Sequence, residues 1–252
     1  MGYILNFKKQ ELAYDISGSR YWKAVGYQKE YKPSEMAVIV VDMWDKHWSK
    51  GATRRCEVIA NNADVLLRRL RGAGVFIVHA PSDTMGFYES SKARKRALDT
   101  DIIEMPVLID LPDVPQPVSA AGGGSDTMDE YEPNTVVWRR QTDVIMIDED
   151  RDIITDEGPV IYTHLKNRGI KLIIYIGVHT NMCILHRPFA IKAMLKAGFD
   201  TVLTRDLTDA MYNPEMPPYV SHAEGTRLII EYIEKFYCPT IESGDLLAQR
   251  QS

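Results

Sequence analysis

Ala37-Val38-Ile39-Val40-Val41-Asp42 is the stretch that decides the fold. Four of its five apolar residues are β-branched, and they run without alternation. An unbroken apolar run of this length marks a strand covered on both faces, as in a parallel sheet. It ends on a carboxylate, and an acid at the mouth of a buried strand needs partners. Working outward, a helical pattern over residues 53–72 carries apolar positions at Val58, Ile59, Val65, Leu66 and Leu70, with Gly72 and Gly74 as C-cap candidates. A second apolar run follows at Val75-Phe76-Ile77-Val78-His79.

The alternation continues toward the C-terminus. The sequence predicts a short strand over 135–138, a helix over 159–168, a strand over 171–176, a helix over 182–197, a strand over 201–203 and a helix over 224–236. Pro239-Thr240-Ile241 reads as an edge strand. Strands joined by helices imply right-handed crossovers and a parallel sheet. The expected architecture is a three-layer α/β/α domain with a mainly parallel, Rossmann-like sheet of about six strands. A single domain is expected over residues 1–252, with its core at about 35–241 and the two ends packed around it. Residues 80–133 hold six prolines and the run Gly122-Gly123-Gly124, with one short helix expected near 90–98. Insertions of this length are usually lids or binding loops.

The composition narrows the function. Hydrophobic residues make up 45% of the 252 and charged residues 26%, and the formal net charge is -5. No basic block is long enough to suggest a nucleic-acid partner, and no apolar run reaches the ~20 residues that cross a bilayer. The N-terminus has no signal-peptide pattern; cytoplasm is the default expectation, and a small molecule the expected partner. The three cysteines are too few and odd in number for a disulfide scaffold.

Functional groups of an open parallel sheet gather beyond the carboxyl ends of its strands. Asp42, the Arg139-Arg140 pair and Cys183 all fall there. Cys183 opens a helix, whose first N–H groups and positive dipole end favour a thiolate and can hold an oxyanion. Taken alone, a buried packing role is the commoner fate of a free cysteine, and it is the reading given to Cys56 and Cys238. Asp42 suits a general base, or equally a cap or an ion-pair partner. Trp44, His47, Trp48, Phe87 and Tyr88 are expected to shape an aromatic pocket, with His186 at its border one turn past Cys183.

Taken together, Val40-Val41-Asp42-Met43, the positions after the third strand and Gly177-Val178-His179-Thr180-Asn181-Met182-Cys183 resemble the isochorismatase-like hydrolases. That superfamily includes nicotinamidases, N-carbamoylsarcosine amidohydrolases and ureidoacrylate hydrolases. The resemblance implies a catalytic Asp42, Cys183 and a cation after the third strand. The family has Lys there; this chain has Arg139 or Arg140, with Arg139 favoured. It further implies a cis peptide at Val178–His179, an oxyanion hole from the N–H groups of His179 and Cys183, and assembly as a dimer or tetramer. The metal-binding spacing of nicotinamidases is not matched; Asp45, His47 and His79 form an alternative ligand set for an ion such as zinc, and a metal-free pocket is favoured. The implied activity is a cysteine hydrolase of small amides or related C–N bonds acting through a thioester, with no cofactor required. The alternatives are an isochorismatase-type vinyl-ether hydrolase, which usually lacks the cysteine, and a silent ligand-binding relative.

Overall fold

The computed structural model describes residues 2–106 and 109–248. Its centre is one eight-stranded sheet in the order β2-β1-β8-β7-β6-β3-β4-β5. The expected first strand is β3 (Met36–Val41), and all six of its residues are buried. β4 (Phe76–Ala80) and β6 (Leu172–Val178) flank it in parallel. β7 (Asp200–Asp209) continues the sheet beyond β6.

Side chains alternate across the sheet, as the two-residue period of a strand requires. Ala37, Ile39 and Val41 join one core, which takes in Ile161 and Leu165 of α3 (Gly158–Asn167) and Ile229 and Ile233 of α6 (His222–Phe236). Met36, Val38 and Val40 join the opposite core, under Ile59, Leu66 and Leu70 of α1 (Lys50–Gly72). This is the three-layer α/β/α architecture that the unbroken apolar run predicts.

The structure corrects the expectation in several places. Residues 135–138 form no strand; the neighbouring pairing is an isolated bridge between Trp44 and Gln141. Val136-Val137-Trp138 has strand-forming composition, but Trp138 instead stacks on Trp44, with ring centroids 4.1 Å apart. The strand beyond β4 is the two-residue β5 (Ile153–Ile154), too short for a periodicity to reveal. The sheet reaches eight strands, more than the expected six or so, because the N-terminal segment does not merely pack around the core. β1 (Tyr3–Tyr14) and β2 (Arg20–Tyr31) form an antiparallel hairpin that joins the sheet at Lys8, opposite Thr240. That pairing places β8 (Thr240–Ile241) inside the sheet, not at its edge.

The helix expected over 182–197 is two. α4 (Cys183–His186) stops before Pro188, and α5 (Ile191–Lys196) restarts beyond it. Proline carries no N–H and forces the residue before it out of helical geometry; Arg187 accordingly lies at φ -61°, ψ 156°. The short helix of the insertion is α2 (Lys92–Leu98), and α7 (Ser243–Leu247) closes the chain's described part. Among the described residues no helix is long and apolar enough to cross a membrane.

Candidate active site

β3 and β6 are neighbours in register, with Val41 opposite Gly177. Their carboxyl ends therefore deliver Asp42 and His179 to the same place. Gly177 permits this closeness: a Cβ there would lie 2.1 Å from the Val41 carbonyl oxygen. The Val178–His179 peptide is cis, as the resemblance implies, and the turn that follows leads to Cys183 at the first position of α4. The first N–H groups of a helix have no acceptor within it, so the Cys183 N–H is available to an incoming oxyanion.

Asp42 is 0% exposed. Its Oδ1 accepts the Ser82 N–H at 2.7 Å, and its Oδ2 accepts Arg187 Nε at 3.3 Å. The Cys183 side chain lies beside both Asp42 and Arg187, close enough for each to act on its ionisation. Burial raises the Asp42 carboxyl above its ordinary range, against the opposing charge of Arg187 and the hydrogen bonds from Cys183 and Ser82. Burial, and then the Asp42 charge, push the Cys183 thiol upward too. The resting arrangement is thus a neutral thiol pointed at a buried acceptor, with a permanent cation alongside.

Arg187 is the residue that sequence reasoning missed. It sits just past α4, four residues beyond Cys183, and its Nη2 also reaches Asp83 at 3.3 Å. The readable signal was its i+4 spacing from the cysteine, which puts the two on one helical face. Arg139 and Arg140 are elsewhere. Arg139 is exposed, and its main-chain N–H donates to Asp45 Oδ1 at 3.1 Å. The Arg140 guanidinium donates to Asp143 at 2.8 Å and lies over the Phe87 ring.

Two cavities meet at Cys183. One, of about 160 Å³, is lined by Trp44, His47, Trp48, Trp138 and His179 together with Gly123, Asn134, Met182, Met211 and Arg187. The rings form a layered wall, with His47 stacked on Trp138 at 5.7 Å and meeting His179 edge-on at 5.0 Å. Burial depresses His47 to about 4 and His179 to about 3, so both are neutral near pH 7. Trp138 was not anticipated as a pocket residue. The other cavity, about 420 Å³, takes in His186, Gln116, Ala120, Asn181, Met182 and Arg187 on the far side of the thiol. Phe87 and Tyr88 line neither cavity; Phe87 is 56% exposed and the Tyr88 hydroxyl accepts the Gln141 N–H.

The insertion closes over this centre. Gly123 presses on Trp48, where a Cβ would come within 2.8 Å of the indole, and Gly124 abuts the Met211 carbonyl. Thr127 and Asp129 accept the first N–H groups of α1 from Gly51 and Lys50. Asp45, His47 and His79 do not converge. His79 is held between Gln141 and Asp152 at 3.0 Å each, and His47 Nδ1 accepts the Ser49 N–H. Among the described residues no group of three His, Cys, Asp or Glu side chains is placed to hold a metal ion.

No protein-family model and no curated protein matches this chain. Solved structures do. A cysteine hydrolase from Pseudomonas syringae pv. phaseolicola 1448A is 16% identical, with 86% of this chain and 92% of that one covered and a TM-score of 0.52. An isochorismatase from Pseudomonas putida KT2440 is 12% identical, with 85% and 91% covered and a TM-score of 0.51. This chain shares the fold of these cysteine hydrolase and isochorismatase structures.

Proposed function

We propose that this chain is a cysteine hydrolase that cleaves a small amide or a related C–N bond through a thioester. The observation that carries the reading is the three-way contact of Cys183, Asp42 and Arg187 at the wall of an aromatic cavity. The P. syringae cysteine hydrolase, which shares the fold, fits the same reading.

In this scheme Asp42 takes the thiol proton as Sγ attacks the carbonyl carbon. The negative charge passes to the carbonyl oxygen, held by the N–H groups of His179 and Cys183. The C–N bond breaks, Asp42 returns its proton to the leaving amine, and the thioester remains. Water then attacks that carbonyl and gives a proton to Asp42; the C–S bond breaks, the acyl group leaves as its acid, and Asp42 passes the proton back to the Cys183 sulfur. Arg187 keeps Asp42 ionised between these steps and cannot itself release a proton at working pH. That separates the mechanism from a lysine-based proton relay. Trp44, His47 and Trp48 hold the acyl group, and His186 faces the leaving group from the wider cavity.

Acid–base and charge roles are all filled by side chains, so we propose that the reaction runs without metal or cofactor. A homo-oligomer, dimer or tetramer, is part of the proposal, and light scattering tests it. The deciding experiment is ammonia release from a panel of small primary amides. Turnover that vanishes in Cys183→Ala supports the reading. Ammonia release that survives in Cys183→Ala points to direct attack of water on the amide without a thioester.

A further inference from the structure

Beyond that reading, we infer a second ligand site at the opposite end of the strands, for a small organic molecule bearing a carboxylate or phosphate. A cavity of about 350 Å³ opens beside the start of β4. Its walls combine Arg71, Arg151 and Arg168 with the apolar side chains of Val75, Ile77 and Ile170. A water occupies ~30 Å³ of liquid, so the space suits an organic anion larger than a bare ion.

The charges do not balance. Among the lining residues three guanidiniums face one carboxylate, Asp152. Asp152 is already committed: Arg71 grips it at 2.7 and 3.0 Å, His79 at 3.0 Å and the Asp148 N–H at 2.8 Å. Arg151 pairs with Asp148 outside the cavity. Arg168 has no carboxylate partner among the described residues. Its Nη1 donates to His164 Nδ1 at 2.9 Å, and its guanidinium lies 4.0 Å above the Phe76 ring. An arginine can only donate, and the Ala97 carbonyl at His164 Nε2 can only accept. His164 is therefore the neutral Nε2–H tautomer, which orients Arg168 without neutralising it.

Arg71 adds an independent sign. It is 4% exposed, yet its Nη1 has no hydrogen-bond partner. Buried polar groups are nearly always paired, so a buried guanidinium nitrogen left over beside a cavity has a donor to offer to an acceptor that enters it. On a chain of net charge -5, a guanidinium left without a carboxylate beside a partly apolar cavity suits an organic anion. Arg168 and Arg151 at the rim and Arg71 at the floor would share the oxyanion, while Val75, Ile77 and Ile170 take the organic body.

Calorimetric titration with phenyl phosphate and with benzoate, at ionic strength fixed by sodium chloride, tests this and separates the two anion sources. The wild-type protein should bind at least one of them, with affinity falling tenfold or more in Arg168→Met. Arg151→Met should weaken it in the same direction, and Arg139→Met should leave it unchanged. The methionine retains an apolar stem against Phe76, and circular dichroism checks that the fold survives. Absence of binding above the chloride control overturns the proposal, as does equal affinity in Arg168→Met. Loss in Arg187→Met without loss in Arg168→Met places the ligand at Cys183 and overturns it as well. None of these outcomes depends on turnover.

Discussion

Arg187 Nε lies 3.3 Å from Asp42 Oδ2, so among the described residues the one side-chain cation paired with the buried Asp42 comes from the same short helical segment as Cys183. A lysine-like cation after the third strand is not part of this arrangement. Cys183 and the cation beside Asp42 are built on one local element, and a shift of α4 would move both together relative to Asp42.

Replacing Arg187 by Met should lower turnover by two or more decades, because a charge at a reacting centre is worth a few kcal/mol. It should also destabilise the fold by on the order of 3 kcal/mol, since Asp42 is left buried without its counter-charge. Arg187→Lys should recover part of both. Arg139→Met should be silent in turnover and in urea unfolding. Equal damage from Arg139→Met would show that the geometry around Asp42 does not govern the chemistry.

The thiol should be poorly reactive at rest. Cys183 is pushed up by burial and by Asp42, so iodoacetamide labelling should be slow near pH 7 and rise with pH. Cys56 and Cys238 are buried in the core whereas Cys183 is partly exposed at a cavity wall, so the reagent should reach them more slowly still. Asp42→Asn removes a negative charge that raises the thiol, so at a fixed pH the thiolate fraction and the labelling rate should increase. Turnover should fall at least a hundredfold, roughly the contribution of a general base. Peptide mapping that finds slower labelling in Asp42→Asn would contradict the electrostatics.

Asp152 makes a stability prediction with a definite sign. Burial opposes its ionisation, but the hydrogen bond to His79 and the pairing with Arg71 win and hold it down at about 2. A depressed acid stabilises the fold above its unfolded pKa, and that stability is lost as pH falls toward 2. The contribution is about 2 kcal/mol. Urea unfolding should show the gap between wild type and Asp152→Asn closing as pH drops from 5 to 2. A gap independent of pH would mean that the carboxylate's charge is not what matters.

The glycine run should control access to the aromatic cavity. Gly123 has φ 84°, and a Cβ there meets the Trp48 ring at 2.8 Å. Gly123→Ala should raise KM about tenfold, roughly 1.4 kcal/mol of binding, and change kcat less. A loss confined to kcat would argue that this loop does not shape the substrate pocket.

Treatment with a chelator should leave turnover unchanged. His79, whose two ring nitrogens are both occupied, would have to abandon Gln141 and Asp152 to bind an ion with Asp45 and His47. Activity lost with EDTA and restored by zinc would overturn the metal-free scheme.

What the sequence determined by itself was local and periodic. Six consecutive buried residues in β3 must be covered on both faces, so a three-layer parallel fold follows from Met36–Val41 and its counterparts. The carboxyl-end rule then points to Asp42 and Cys183, and along with them to Arg139 and Arg140. The tertiary structure alone decided which cation meets them. Arg139, Arg140 and Arg187 are equally plausible as charges along the chain, and only the break at Pro188, where helix gives way to extended backbone, turns Arg187 toward Asp42. The same is true of the edges of the sheet. Two-residue strands such as β5 and β8 carry no periodic signal, and their pairing depends on which neighbours the packed sheet presents. Trp138 makes the point in reverse: its neighbours have strand-forming composition, and stacking on Trp44 overrode it because burying two indoles against each other outweighs a short ladder's hydrogen bonds.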